Sequence, residues 1–495
     1  MIARKLRTLM IQGTGSHAGK SFLTTALCRI FFRRGYSVAP FKAQNMANNA
    51  AAVEGGEIGR AQALQASAAK INADVRMNPL LLKPTGERAC QAVLMGKAVG
   101  MFSITELNRR KPAWFKRVTG AFRSLQREYD LVIIEGAGSP AEINIRRTDY
   151  ANMRMASAGG AAVLLAGDID RGGVFAALYG THRLLTPAER QRIFGFCLNK
   201  FRGDAGLLRS GLRFLKRETG MAALGVVPYD TQIRLPEEDS LGMARHGGLN
   251  KRHRRGAVSI GFVRTPHIAN FTDYDPFYVE PDVILREIQT AQDLDGLDAV
   301  ILPGSKNVFD DCRFLRRTGL ADAISRRENL TIVGICGGYQ MMGGIIDDPG
   351  GVENGQPDSI EGMGLLPIRT KFFRKKIVAA VERRHLPSRS IVRGYEIHSG
   401  RVFPINGAGR HLFEAFDGQS EGVSIESGRV WGTLTHGVFD SDRFRNAFLN
   451  RLRRAKRLPE RPVTAFDVEP MIERAANLVE AHLDVNAIER HLKSS

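Results

Sequence analysis

The sequence predicts a two-domain α/β protein whose first half is built on a largely parallel sheet covered on both faces. Three observations carry this prediction. Short apolar runs alternate with helix-patterned segments, as expected for strands buried on both sides. Polar and acidic residues collect where those runs end, which is where open α/β sheets bind ligands. The alternation lapses from Arg234 to Gly256, a stretch with Pro236, several glycines and the basic cluster Lys251-Arg252-His253-Arg254-Arg255, and restarts at Val258. The expected organisation is a first domain over 1–233, a linker over 234–256, a second domain over 257–445 and a helical extension over 446–495. At 495 residues the chain exceeds one ordinary core.

The first apolar run, Leu9-Met10-Ile11, leads into Gly13-Thr14-Gly15-Ser16-His17-Ala18-Gly19-Lys20-Ser21, and Phe22 to Arg33 is patterned as a helix. A glycine-rich turn between strand and helix suits ATP. The backbone N–H groups of Gly13, Thr14, Gly15 and Gly19 can converge on phosphate oxygens. Lys20 can reach the terminal phosphates, and the Ser21 hydroxyl can ligate Mg²⁺. The spacing has one residue more than the usual G-x-x-x-x-G-K-[ST], a variant similar to the loop of dethiobiotin synthetase and its relatives.

The next strand, Tyr36 to Phe41, ends at Lys42 and is followed by Gln44-Asn45-Met46-Ala47-Asn48-Asn49. On local grounds Gln44 and Asn45 are either substrate contacts or part of an amide-rich loop. The Gly55–Ala63 segment opens an Ala/Gln-rich helix, and Met77 to Pro84 is an apolar strand bounded by prolines. Tyr129 to Glu135 is a continuous apolar run with an acid at its tip, so Glu135 is expected beside Ser21 as a second Mg²⁺ ligand. Ala161 to Ala166 precedes Asp168 and Asp170, which could orient metal or substrate or simply cap a turn. Ile193 to Leu198 precedes Asn199, which could hydrogen-bond the adenine edge or cap. Leu224 to Val227 reads as the last strand of a kinase-like, phosphate-loop half.

In the second half, Asp298 to Leu302 runs into Pro303-Gly304-Ser305, and Leu330 to Ile335 into Gly334-Ile335-Cys336-Gly337-Gly338. The latter is a G-x-C-x-G elbow, the thiol counterpart of G-x-S-x-G, in which small neighbours allow a sharp turn that lifts the nucleophile to the sheet edge. The helix that follows, Tyr339 to Met342, would favour the thiolate. Backbone N–H groups of Gly304 and Gly337 could form an oxyanion hole. A thiol nucleophile needs a base. His436 stands at the end of the later strand Val430 to Leu434, and His398 in Tyr395-Glu396-Ile397-His398 is a second possibility.

Cys28, Cys90, Cys197 and Cys312 form no C-x-x-C pair and read as small buried hydrophobes. The net charge of +20 is spread along the chain without a nucleic-acid-binding module, so neither nucleic acid nor membrane is expected as a partner, and a polyanionic substrate would suit the excess. No apolar run approaches the roughly 20 residues of a membrane span and no signal-peptide core follows Met1 to Leu9, from which a cytoplasmic location is expected. Arg443 to Ser495 is basic and helix-patterned, and its default expectation is packing against the second domain.

Taken together, the motifs resemble those of the cobyric acid synthase family, the glutamine-dependent amidotransferases of cobalamin biosynthesis, from about Leu9 to Asp440. The resemblance rests on the phosphate loop, PFKAQNMANN (Pro40 to Asn49), GGEIGRAQALQA (Gly55 to Ala66), MNPLLLKP, EGAGSPAEIN (Glu135 to Asn144), DIDRGGVFA (Asp168 to Ala176), NKFRGD, LPGSKN (Leu302 to Asn307), GICGGYQMMG, GYEIHSG (Gly394 to Gly400) and THGVFD (Thr435 to Asp440). It implies a dethiobiotin synthetase-like first domain and a second domain similar to class I glutamine amidotransferases. Cys336 would attack the side-chain amide of L-glutamine with His436 as base. ATP would phosphorylate a carboxylate of a corrinoid polycarboxylate, adenosylcobyrinic acid a,c-diamide, at its b, d, e and g side chains, and ammonia would displace the phosphate. A carboxylate accepts ammonia poorly until its oxygen is a leaving group, and ammonia is mostly protonated at neutral pH, so it is best made where it is used. Related amidotransferases of other polycarboxylates or cell-wall lipid intermediates share the scheme, whereas a partitioning-type ATPase would have no use for Cys336 and His436.

Three positions depart from the family pattern. His17 stands where an acid near metal and phosphates is more usual, and Thr85-Gly86-Glu87-Arg88 replaces a Ser-Asp pattern. Val438 occupies the place, two residues after the histidine, where many triad amidotransferases carry glutamate. The site is then either a Cys-His dyad or oriented by another carboxylate such as Glu396.

Overall fold

A computed structural model describes residues 8–85, 89–236, 256–353, 355–405 and 409–494. Most of the expected linker, including the 251–255 basic cluster, and three of the four residues in the departing 85–88 stretch lie outside the described residues.

The first domain is organised by a six-stranded parallel sheet. Its spatial order is Ala222–Pro228, Ile193–Phe201, Ala162–Asp168, Thr8–Gly13, Leu131–Glu135 and Val38–Phe41. The strand that feeds the phosphate loop is therefore central, with Ile11 beside Glu135 on one side and Gly13 beside Ala166 on the other. Alternate residues face opposite layers. Met10, Ile134, Val163 and Leu165 pack beneath Phe122 and Leu125 of the helix Ile104–Glu128, while Leu9, Ile11, Ile133 and Leu164 pack beneath Leu23, Leu27 and Phe31 of Lys20–Arg33. Ser103 starts the Ile104–Glu128 helix through a reciprocal capping box with Glu106.

The second sheet has eleven strands among the described residues. Val283–Ile288, Val258–Val263, Ala299–Leu302, Thr331–Ile335 and Val430–Thr433 are parallel neighbours, and an antiparallel half follows. That half contains a long hairpin, Ile368–His385 against Ile391–Pro404. The parallel core matches the alternation in the sequence. The hairpin does not announce itself there, because its strands are partly polar on both faces and gain partners only in the folded chain.

The C-terminal extension departs from expectation. Its first helix, Asp442–Ala455, packs on the second domain through Phe444, Phe448, Leu449 and Leu452. The chain then returns to the first domain. Helices Glu469–His482 and Val485–Ser494 bury Ile472, Ala476, Val479 and Ile488 against the layer formed by Lys20–Arg33, each larger aliphatic contributing roughly 1.5–3 kcal/mol. Fully buried Arg29 reaches Glu469 and Glu473, Arg33 pairs with Glu480 at 2.9 Å, and Arg34 with Glu489 at 2.7 Å. The segment is thus a clasp across both domains, which the basic stretch before it conceals: Glu469, Glu473 and Glu480 are spaced on one helical face.

Between the domains, the hairpin formed by Ala50–Val53 and Gly56–Gly59 meets the long hairpin of the second domain. Ala47, Ala50, Leu81 and Val93 share an apolar cluster with Tyr395 and Ile397. Buried Glu57 contacts Lys83 of its own domain and Lys376 of the other. Burial pushes the Glu57 carboxyl up, but the two lysines outweigh it and bring it down to about 2. At Lys83 burial dominates instead and pushes the ammonium down to about 7.

Replacing Glu57 with Gln leaves two lysines buried without their counter-charge and is expected to cost about 3–5 kcal/mol, read as a lower thermal midpoint. The sign of the pH dependence follows from the depressed carboxyl. Its stabilisation is complete above its ordinary value of 4.5 and is lost as pH falls towards about 2. Denaturant midpoints should therefore fall more steeply with acidification in the wild type than in Glu57→Gln.

Candidate active sites

The turn Gly13–Gly19 lies between its strand and the helix Lys20–Arg33. Gly19 takes φ 89°, and a β-carbon there would sit 1.9 Å from Asn199 Nδ2, so only glycine serves. Asn199 Nδ2 donates to the carbonyl of Ala18 at 3.0 Å, and the Lys200 ammonium donates to the carbonyl of His17 at 2.6 Å and to Asp168 at 3.0 Å. Thr14 N–H donates to Ala166 O at 3.0 Å. The loop is therefore braced from the Ile193–Phe201 strand tip, and Asn199, expected at the adenine edge, takes part in that bracing. Lys20 Nζ donates to the carbonyls of Gly15 (2.8 Å) and Gly138 (2.9 Å), which brings its charge across the loop.

Ser21 and Glu135, the two residues expected to hold Mg²⁺, are brought together: Ser21 Oγ donates to Glu135 Oε1 at 2.9 Å. Lys42 Nζ donates to the same oxygen at 2.8 Å and Gln65 to the other. Burial pushes the Glu135 carboxyl up, but Lys42, Gln65 and Ser21 together hold it below the usual carboxylate range. A hydroxyl and an ionised carboxylate are hard oxygen donors that fit Mg²⁺ once phosphates and water complete its octahedron. No group of three or more His, Cys, Asp or Glu side chains suited to a metal occurs among the described residues. Of the residues expected to meet substrate, Asn45 is buried and donates to Gln62 at 3.2 Å, and Gln44 buries a side-chain oxygen without a partner. Asp168 is buried against Lys200, whereas Asp170 is exposed and paired with Arg202 at 3.1 Å.

In the second domain Cys336 occupies the elbow between Thr331–Ile335 and the short helix Gly337–Met341, with φ 50° and ψ −105°. For a residue with a β-carbon this is a strained conformation, of the kind that nucleophile elbows hold. Gly304 backs onto the His436 ring, since a β-carbon there would meet Cε1 at 2.7 Å, and Gly337 lies against Ser305. Both turns expected to supply oxyanion-hole N–H groups thus converge beside the thiol. His436, not His398, is the imidazole whose charge couples to Cys336, and the thiol itself lies 4.0 Å from the Ile397 carbonyl. His398 is turned away, with Nδ1 2.7 Å from the Gly400 carbonyl and Nε2 3.4 Å from Glu396.

The carboxylate that orients His436 is Asp273. Its Oδ2 lies 2.7 Å from Nδ1, and its Oδ1 accepts the Gly437 N–H at 2.7 Å. Glu396 is engaged elsewhere, 2.7 Å from Arg383, and is held down at about 2. Burial works against a charged imidazole at His436, but Asp273 and the Cys336 thiol outweigh it and raise the ring to about 10. Sequence reading missed Asp273. The available signal was an acid in the aromatic turn Phe271–Val279 past the carboxyl end of Val258–Val263, the same sheet edge that carries Cys336 and His436. The remaining cysteines are buried, and burial pushes Cys312 to about 11 and Cys197 to about 12, consistent with inert packing residues.

Two family models cover the chain. Residues 9–241 match the CobQ/CobB/MinD/ParA nucleotide binding domain, and residues 259–444 match the CobB/CobQ-like glutamine amidotransferase domain. The chain is also 43% identical to the cobyric acid synthase of Syntrophobacter fumaroxidans, with 99% of each protein covered. It belongs to the cobyric acid synthase family. A cobyric acid synthase of Geobacillus thermodenitrificans is similar to the same degree, 43% over 99% of both chains. The adenosylcobalamin biosynthesis bifunctional protein CobDQ of Leptospira interrogans is 43% identical over 99% of this chain, which spans only 57% of that relative. Membership of this family makes the chain an amidotransferase-type ligase with a nucleotide-binding domain. No helix among the described residues is long and apolar enough to cross a membrane.

Because Asp273 fixes the ring orientation, Asp273→Asn is expected to lower the rate of glutamine hydrolysis by about 10²–10⁴-fold. Amide formation driven by added ammonium should be unchanged in the same preparation, as measured by product mass.

Proposed function

We propose that the chain catalyses ATP- and glutamine-dependent amidation of the b, d, e and g carboxylates of adenosylcobyrinic acid a,c-diamide, giving adenosylcobyric acid. The observation that carries this reading is a thiol on a strained elbow at the same sheet edge as an imidazole that Asp273 anchors, in one chain with a braced phosphate loop.

In the second domain the Cys336 sulfur attacks the γ-carbonyl carbon of glutamine while His436 takes the thiol proton. The oxyanion is received by the N–H groups near Gly304 and Gly337. The C–N bond then breaks, His436 returns the proton to the departing nitrogen, and ammonia leaves a γ-glutamyl thioester that water hydrolyses to glutamate. In the first domain a substrate carboxylate oxygen attacks the γ-phosphorus of ATP, releasing ADP. Ammonia attacks the carbonyl carbon of the resulting acyl phosphate and inorganic phosphate departs. Lys20 and the loop N–H groups hold the phosphates in line. Ser21 and Glu135 would hold Mg²⁺, which when bound supplies positive charge to the phosphate oxygens. Lys42 can serve Glu135 as counter-charge meanwhile. The unpaired buried oxygen of Gln44 offers an acceptor to the N–H groups of ammonia or of the product amide.

The reading is tested by incubating the protein with ATP, Mg²⁺, glutamine and the a,c-diamide and following stepwise conversion of four carboxylates to amides by mass spectrometry. Cys336→Ala is expected to abolish glutamine-driven synthesis and keep ammonium-driven synthesis, whereas Lys20→Ala abolishes both. Glutamine-driven activity surviving in Cys336→Ala would remove the nucleophile assignment.

A further inference from the structure

Asn270 stands where the first domain touches the glutamine site. It is 4% exposed, has left-handed backbone with φ 52°, and its carboxamide joins groups from both domains. Oδ1 accepts the backbone N–H of Ala50 at 2.9 Å, and Nδ2 lies 3.2 Å from Nε2 of His436. An N–H only donates, so the carboxamide cannot turn over without setting two donors against each other at Ala50. The first domain therefore dictates that a donor faces His436. Asn49 secures the same junction by accepting the Phe271 N–H at 3.2 Å.

That donor requires a lone pair on Nε2. With Nδ1–H directed at Asp273, 2.7 Å away, only the neutral imidazole satisfies both contacts. Glutamine cleavage needs the same lone pair, because Nε2 takes the thiol proton and carries it to the leaving nitrogen, and an Nε2–H aimed at an amide N–H is repulsive. Asn270 and Cys336 thus compete for one nitrogen.

The segment that positions Asn270 continues to the nucleotide loop. Asn45 donates to Gln62 at 3.2 Å on the helix Arg60–Ala68, and the same helix presents Gln65 to Glu135, which also receives Ser21 and Lys42. A ligand that takes Ser21 and Glu135 must rearrange these bonds.

Resting on the proposed glutamine hydrolysis at Cys336, we propose that Asn270 is a positioning residue: docked on the Ala50 N–H, it keeps a donor facing Nε2 of His436 and so withholds that nitrogen from the thiol, and loading of the first domain releases it. Glutamine is then cleaved when an acceptor is ready.

Glutamate release by the full chain is measured with glutamine alone and with ATP, Mg²⁺ and the a,c-diamide added. Asn270→Gly keeps the left-handed backbone without the amide. It is expected to raise the glutamine-only rate about 3- to 10-fold, the worth of one neutral hydrogen bond, and to bring the loaded-to-unloaded ratio towards one. Alkylation of Cys336 by iodoacetamide without nucleotide should accelerate by a similar factor. Asn270→Asp, which still accepts from Ala50 but offers His436 no donor, should act in the same direction. Both variants should retain ammonium-driven synthesis, which reports an intact fold. An unchanged ratio in both variants, or an equal fall of both rates, overturns the proposal while leaving glutamine hydrolysis standing. A wild-type protein that releases no glutamate under either condition removes the underlying reading and this proposal with it.

Discussion

Glu57 is a carboxylate without access to water, held ionised by a lysine from each domain, and the geometry of both sites depends on the docking that this contact fixes. A buried charge of this kind tolerates little displacement, because separating it from Lys376 leaves two ions desolvated. The neighbouring strand of the same hairpin carries Ala50, Asn49 directly precedes it, and Asn45 lies just upstream in the short strand Asn45–Met46. The electrostatic anchor and the contacts onto the second domain's site are thus parts of one small element, and their positions are set together.

Each site also has its own internal logic. In the first domain a single carboxylate, Glu135, gathers a hydroxyl, an ammonium and an amide at the mouth of the phosphate loop, so the charge balance there is complete before any ligand enters. In the second, Asp273 and the neighbouring thiol favour a charged imidazole at His436, while burial and the Asn270 amide favour a neutral one. The carboxylate and the thiol prevail over burial and raise the ring, so a donor facing Nε2 opposes the protonation that they favour.

The C-terminal helices add a second connection between the domains. They leave the second domain at Asp442–Ala455 and close over the helix that follows the phosphate loop, with Arg29, Arg33 and Arg34 matched to acids on one face of Glu469–His482 and to Glu489 beyond it. The helix that starts at Lys20 is therefore packed on one side by the sheet and on the other by the end of the chain, which limits how far the loop can move relative to Glu135.

The sequence by itself determined the elements whose signals are local. Strand tips, the glycine turn at Gly13–Gly19 and the Cys336 elbow follow from residue type and from neighbours a few positions apart, because backbone conformation at a turn and burial of a strand are decided over short stretches. The meeting of Ser21 with Glu135 was legible because Glu135 ends one strand and Ser21 follows the turn out of another in one parallel sheet. Which histidine meets the thiol, which carboxylate orients it and where the last helices pack were decided only by the tertiary structure. Asp273 and His436 are far apart in the chain and lie on separate loops that share one sheet edge, and His398 differs from His436 in its surroundings and not in its kind. Such choices belong to long-range packing, where many chemically equivalent side chains compete and the winner is the one that the strand order of the sheet brings close.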